Sequence, residues 1–274
     1  MLSRTAIAQY ERDGYCFPLD ILTPAEAADC RARLEAHEHR TGGPLKGHMR
    51  HKSHLLFPWL NELVRHPRIV DAAESVLGPD LLCWSSSFFI KEPDNTAFVS
   101  WHQDATYWGL SSPDVTTVWL AFTPANRVNG CMAFIPGTQH TQVTHQDTFS
   151  EANLLTRGQE IAVEVDESQA VYVELQPGQA SMHHVMLFHG SAPNRSTDRR
   201  IGYAIRYIPT HVQQIAGERG SATLVRGVDR YGHFDLESSP TADLAPDAVA
   251  LHAAVTGRQA AVLYRGTDRG TFRD

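Results

Sequence analysis

The chain has 274 residues, 42% of them apolar and 20% charged, which excludes a disordered protein and leaves room for one large core or two small ones. With 31 Asp and Glu against 24 Lys and Arg its formal charge is −7, the wrong sign for a general nucleic-acid binder, and no apolar run approaches the ~20 residues of a membrane helix. Cys16, Cys30, Cys83 and Cys131 form no Cys-x-x-Cys pair and Met1-Leu2-Ser3-Arg4 opens no signal peptide, so a reduced, cytoplasmic, single-domain protein is expected.

The first eighty residues read as helical. Thr23-Pro24-Ala25-Glu26 is a capping box with proline at the first helical position, and Ala27, Cys30 and Leu34 continue at helical spacing. A second helix is predicted from Pro67, with Ile69, Val70, Ala73, Val76 and Leu77 on one face and a stop at Gly78-Pro79. Between them, residues 42–54 read as a loop carrying Lys46, His48, Arg50, His51, Lys52 and His54 and no acid, locally opposite in charge to the whole chain.

From Leu81 the period changes to short β-branched and aromatic runs, at 81–91, 97–102, 115–122, 131–135, 161–165, 170–175, 185–189 and 201–208. Turn chemistry separates them at Pro93-Asp94-Asn95, Asn129-Gly130, Pro136-Gly137 and Pro177-Gly178. Strands without intervening helices predict an antiparallel sandwich or barrel. The expected layout is a helical part at 1–80, a β-core at about 81–210, and a C-terminal loop and helix at 211–274.

Fifteen histidines are too many to pass over. Three His-x-Asp triplets occur, at His102/Asp104, His145/Asp147 and His233/Asp235, and residues two apart on a strand share a face, so each pair offers an imidazole and a carboxylate to one metal ion. Short triplets arise by chance, and context separates these. The first closes an aromatic strand; the second and third sit in polar stretches that read as surface loops. His189, where the run 185–189 meets the turn Gly190-Ser191, is the candidate third ligand, and two histidines with one carboxylate on one face suit a non-haem Fe(II) site. The plain alternative is that His189 only bonds its own turn. Further on, Arg200, Gly202, Ala204 and Arg206 share one strand face while Ile201, Tyr203, Ile205 and Tyr207 share the other, which describes a strand backing onto core and lining a polar pocket. An arginine there binds a carboxylate bidentately.

Trp101-His102-Gln103-Asp104, the stretch from Asn129-Gly130-Cys131-Met132 to Pro136-Gly137-Thr138-Gln139-His140, and His189-Gly190-Ser191 with Arg200 eleven residues later together resemble the phytanoyl-CoA dioxygenase (PhyH) family. The resemblance covers the chain to about Pro209. It implies a double-stranded β-helix (jelly roll) and an oxygenase using Fe(II), 2-oxoglutarate and O2, which hydroxylates a substrate C–H bond and releases succinate and CO2. It implies His102, Asp104 and His189 as metal ligands and catalytic residues, Arg200 as salt-bridge partner of the distal 2-oxoglutarate carboxylate, Ser191 beside it, and Gln103 and Trp119 as pocket positions. Asp104 fills the place that a small residue takes in the family's halogenases, so hydroxylation is expected.

For the substrate, the residues suggest a small anionic or zwitterionic metabolite, such as an aminophosphonate, an amino-acid derivative or a natural-product intermediate. The loop from Lys46 to His54, loosened by Gly42, Gly43 and Gly47, is expected to close over the mouth, with Arg50, Lys52 and Arg206 as substrate contacts. The alternatives are that the loop is a solvated face, that the substrate is an acyl-CoA, that a zinc hydrolase uses the same ligands, or that the scaffold is a silent binding protein. No nucleic-acid or membrane partner is expected.

Overall fold

A computed structural model of the chain describes residues 1–272. It opens with helix α1 (Arg4–Asp13), capped by Ser3, and strand β1 (Tyr15–Asp20). Helix α2 (Pro24–Thr41) follows with the expected capping box: the Thr23 side chain accepts from the Glu26 N–H and Glu26 accepts from the Thr23 N–H. Helices α3 (Pro58–Leu63) and α4 (Pro67–Leu77) complete the helical part. Their apolar side, including Leu34, Leu60, Ile69, Val70 and Ala73, packs on Val118, Leu120, Ile201, Tyr203, Ile205 and Tyr207 in one buried cluster. The helices therefore cover the outer face of a sheet, and the opposite face is left to build a site.

That sheet has seven strands: β1, β9 (Gln179–His184), β4 (Thr116–Ala121), β11 (Arg200–Pro209), β2 (Leu81–Lys91), β12 (Ser221–Arg226) and β13 (Asp235–Leu236), in this spatial order. A second sheet runs β3 (Val99–His102), β10 (Phe188–Ser191), β5 (Met132–Ile135) and β8 (Val171–Tyr172). A two-stranded ribbon, β6 (His145–Asp147) with β7 (Gln159–Ile161), stands beside it. Two sheets, antiparallel but for the β12–β13 pair, with few helices between strands make the expected jelly roll. Helix α5 (Pro246–Leu263) packs Ala260 and Leu263 against Leu82, Trp84 and Trp108. Among the described residues no helix is long and apolar enough to cross a membrane.

Several elements depart from the sequence expectation. The run 185–189 is a turn leading into β10, 161–165 keeps only Ile161 in a strand, and His145–Asp147 is a strand where a loop was expected. β1 and β12 pair with the main sheet from outside the expected core span of 81–210. β1 contains Pro18, which an edge strand tolerates. β9 escapes pattern reading because its cavity side is polar (Gln179, Ser181, His183) while its core side is only Ala180 and Met182.

Candidate metal centre and adjoining cavity

β3 and β10 lie side by side in the smaller sheet with His102 directly opposite His189, their ring centroids 4.0 Å apart. Asp104 follows on a single helical turn, fixed where its N–H donates to the Val185 carbonyl at 2.9 Å. One nitrogen from each imidazole and one oxygen of Asp104 lie within 4.8 Å of one another, and all three side chains are buried. The His102 Nδ1 faces the Ser100 carbonyl and the His189 Nδ1 the Leu187 carbonyl, each at 2.9 Å. A carbonyl only accepts, so Nδ1 carries a proton in both rings, the tautomer that in a neutral imidazole leaves Nε2 its lone pair. Burial works against the Asp104 charge. The polar edges of His102 and His189 and the fixed charge of Arg206 outweigh it and hold the carboxyl far below the usual carboxylate range. Burial, with the neighbouring histidines, likewise holds His189 well below an ordinary imidazole. Neutral imidazoles and an ionised carboxylate are the donor forms a divalent metal requires. Two nitrogens and one oxygen with open positions opposite are the facial arrangement suited to non-haem Fe(II), so the residues fit that ion.

Across the cavity stands the inner face of the larger sheet. Arg200 is 1% exposed, its guanidinium 5.2 Å from the Trp119 ring and one N–H donating to the Gly130 carbonyl at 2.5 Å. Burial pulls it down to about 10, and no described carboxylate lies at ion-pair distance. Lys91, at the end of β2, donates to Ser191 Oγ at 2.6 Å and to the carbonyls of Ser191, Ala192 and Gly130. Because Ser191 accepts from Lys91, its own proton is free to be donated elsewhere. Gly130 takes φ +70°, and a Cβ there would come 2.0 Å from the Ala192 carbonyl oxygen. Only glycine brings that carbonyl to the Arg200 guanidinium and the Lys91 amine, whose pKa burial and Arg200 lower to about 6. Arg199 points the other way, into an ion-pair network with Glu38 and Glu92.

The expected site residues do not all face this cavity. His102, Asp104, His189, Ser191, Arg200, Trp119 and Arg206 line it. Gln103 is turned away, as alternation along an extended backbone requires: its amide donates to the Thr141 and Met186 carbonyls and accepts from the Val143 N–H. It pins two loops instead of lining the pocket. The second triplet is no solvated loop either. His145 accepts from the Gln103 N–H at 2.9 Å and Asp147 accepts from Tyr107 at 2.7 Å, so together they brace the turn that carries Asp104. The third triplet is peripheral, with Asp235 exposed and paired to Arg219.

The basic loop is also not the free lid expected from its charge. Lys52 is 2% exposed and ion-paired with Glu237, and the His54 ring meets Ser86 Oγ at 2.7 Å. Arg50 is half-buried on the short turn Gly47–Arg50. The loop reaches the cavity side through His51, which shares Ser87 with Arg206, each at 3.1 Å. Sequence reading passed over Lys91, Thr117 and His183. The signal available for Thr117 was strand alternation, since it shares a face with Trp119, whereas β9 offered no such pattern for His183.

These features meet in one family. The profile of the phytanoyl-CoA dioxygenase family (PhyH) matches residues 10–202, a span containing the triad, Trp119 and Arg200. The chain belongs to the PhyH family. Among relatives, a probable alpha-ketoglutarate-dependent hypophosphite dioxygenase from Stutzerimonas stutzeri is 31% identical over 159 residues, 55% of this chain and 54% of that protein. The chain spans about half the length of the curated relatives it matches. Of solved structures, the non-heme monooxygenase ThoJ in its apo form is 35% identical with a TM-score of 0.83, the match covering 94% of this chain and 97% of that one. CytC3 with Fe(II) and alpha-ketoglutarate is 32% identical with a TM-score of 0.64, covering 86% of this PhyH chain and 93% of that one.

Proposed function

We propose that this chain is an Fe(II)- and 2-oxoglutarate-dependent dioxygenase that hydroxylates an aliphatic C–H bond of a small anionic or zwitterionic metabolite, releasing succinate and CO2. The observation that carries the reading is the buried convergence of His102, Asp104 and His189 facing an Arg200 that lacks a carboxylate partner among the described residues. Bound Fe(II) with 2-oxoglutarate would supply the activation of O2 that no protein side chain provides. His102, Asp104 and His189 hold the metal on one side. Arg200 forms the salt bridge to the distal carboxylate of the cosubstrate, with the freed Ser191 proton donated beside it. Trp119 lines the cavity beside Arg200 and gives the cosubstrate chain an apolar wall.

Substrate charge is met by Arg206, and Arg50 adds a formal positive charge beside His51 on the adjoining loop. An aminophosphonate or an amino-acid-derived carboxylate fits this chemistry, and a relative described as a probable hypophosphite dioxygenase is consistent with a small oxyanion. Lys52 is not carried into the reading, because Glu237 already neutralises it. The test is succinate formation from 2-oxoglutarate with Fe(II) and ascorbate, run against a panel of aminophosphonates, amino acids and acyl thioesters. Substrate-stimulated succinate with a hydroxylated product supports the reading. Failure of the metal-loaded chain to bind 2-oxoglutarate overturns it.

A further inference from the structure

Three adjacent strands of the larger sheet place His183 (β9), Thr117 (β4) and Arg206 (β11) in one row, paired His183 with Thr117 and Thr117 with Arg206. All three line the cavity that holds the triad, and all three are buried, at 1%, 1% and 7% exposure. Their polar atoms are nonetheless unmet. Both ring nitrogens of His183, the Thr117 hydroxyl and the Arg206 Nε have no hydrogen-bond partner among the described residues. Buried polar groups left unsatisfied are costly and uncommon, and four such atoms in a single row mark a place built for a ligand. Arg206 is held there by Ser87 at 3.1 Å and by the faces of Trp108 and Phe89, at 5.3 and 5.8 Å.

We infer that the row His183–Thr117–Arg206 is the oxyanion subsite for the substrate, separate from the Arg200 site that takes the cosubstrate. The assignment rests on the oxygenase reading above. Three donors converge there with one fixed positive charge, and Asp104 is the only acidic side chain among the described residues lining the cavity. A carboxylate or phosphonate group satisfies such a row; a neutral or cationic group leaves Arg206 unpaired. The His183 ring offers one N–H in either neutral tautomer. Arg200 and Arg206 lie on the same strand six residues apart, about 20 Å between Cα atoms, so they serve opposite ends of the cavity. The His183 and His189 rings are 4.7 Å apart. An oxyanion on the row therefore lies within one small molecule's length of the triad, and the carbon that reacts is a few bonds from the charged group.

The test titrates the full-length chain, loaded with Zn(II) and 2-oxoglutarate, with methylphosphonate, acetate or inorganic phosphate, read by tryptophan fluorescence because Trp108 borders Arg206. Saturable binding is expected, and the methylphosphonate and acetate arms distinguish a phosphonate from a carboxylate substrate. Arg206→Gln should weaken the preferred anion about thirtyfold or more, as removal of one side of a desolvated charge pair does. Thr117→Val and His183→Phe should each weaken it about three- to tenfold, the value of a neutral hydrogen bond. The 2-oxoglutarate dissociation constant, measured by calorimetry, should move less than about twofold in all three, as expected for separate sites. If Arg206→Gln does not fold, Arg206→Lys and His183→Phe decide the matter by the same two measurements. The proposal is overturned if the anions bind all variants alike, if none binds the wild type, or if these variants weaken 2-oxoglutarate instead. A wild type that binds no 2-oxoglutarate at all overturns the oxygenase reading itself, and so the two failures are separable.

Discussion

The Trp119 indole lies flat against the backbone of Gly202 on the neighbouring strand, so closely that a Cβ on Gly202 would fall 1.8 Å from its Cζ2. The same indole is 5.2 Å from the Arg200 guanidinium. Glycine between two arginines, an odd choice for a strand, is thus the condition for an inward tryptophan. Gly202→Ala should displace Trp119 into the pocket. It is expected to cost about 1–3 kcal/mol of stability, typical of overpacking a core, and to raise the KM for 2-oxoglutarate more than it lowers kcat. A thermal melt with steady-state kinetics checks both, and unchanged values would show that the indole has room to move.

Arg199 and Arg200 are neighbours with opposite fates. In the strand they face opposite sides, and Arg199 binds Glu38 and Glu92 while Arg200 is enclosed in the cavity. Arg200→Ala should weaken 2-oxoglutarate by tens-fold or more, in keeping with the ~2–5 kcal/mol attached to one side of a desolvated charge pair. Arg199→Ala should leave cosubstrate affinity intact. Calorimetric titration of both variants checks the contrast, and equal mild effects would count against it.

The triad makes a stability prediction as well as a catalytic one. A metal that binds only the folded chain stabilises it by about 2.7 kcal/mol at a hundred times its dissociation constant. A chelator should therefore lower the wild-type Tm by roughly 5–10 °C, at about 2–4 °C per kcal/mol for a chain of this size. His189→Ala should abolish that response, and Asp104→Ala should abolish hydroxylation even where some metal is retained. Calorimetric melts with and without chelator, alongside metal content, give the answer; a full chelator response in His189→Ala would remove that residue from the site.

What was legible from sequence follows from burial geometry. The alternation of Arg200, Gly202, Ala204 and Arg206 against Ile201, Tyr203, Ile205 and Tyr207 reported both faces of β11 because one face is all core. His102 and Asp104 stood out because an aromatic strand ends there. The rest was hidden by the same physics. A strand such as β9 whose inner side lines a cavity has no hydrophobic alternation to read, so His183 went unseen with it. Gln103 sat inside a matching motif, and only its three backbone bonds reveal that it faces away. Net charge misled for the loop, since Lys46 to His54 contains no acid while the acid that neutralises Lys52 lies 185 residues further on.

That distant partner gives the last prediction. Glu237 is enclosed by Lys52 and His54 and accepts from the Ser221 and Thr223 hydroxyls at 2.7 Å. Burial works against its charge, but Lys52 and His54 more than offset this and hold the carboxyl well below the usual glutamate range. A carboxyl lowered by folding contributes stability that is fully present above its unfolded value of about 4.3 and fades as pH falls toward the folded value. Glu237→Gln should therefore destabilise the chain by about 3–5 kcal/mol at pH 7, leaving Lys52 uncompensated, and the gap to wild type should narrow below about pH 4. Lys52→Ala should be destabilising at pH 7 as well, while the KM for 2-oxoglutarate and for substrate stays put, because the residue anchors the loop to β12 and the segment after it. Tm measured from pH 7 down to pH 3.5, together with steady-state kinetics, separates anchor from ligand contact. A Lys52→Ala variant with wild-type Tm and a raised substrate KM would return that lysine to the binding loop.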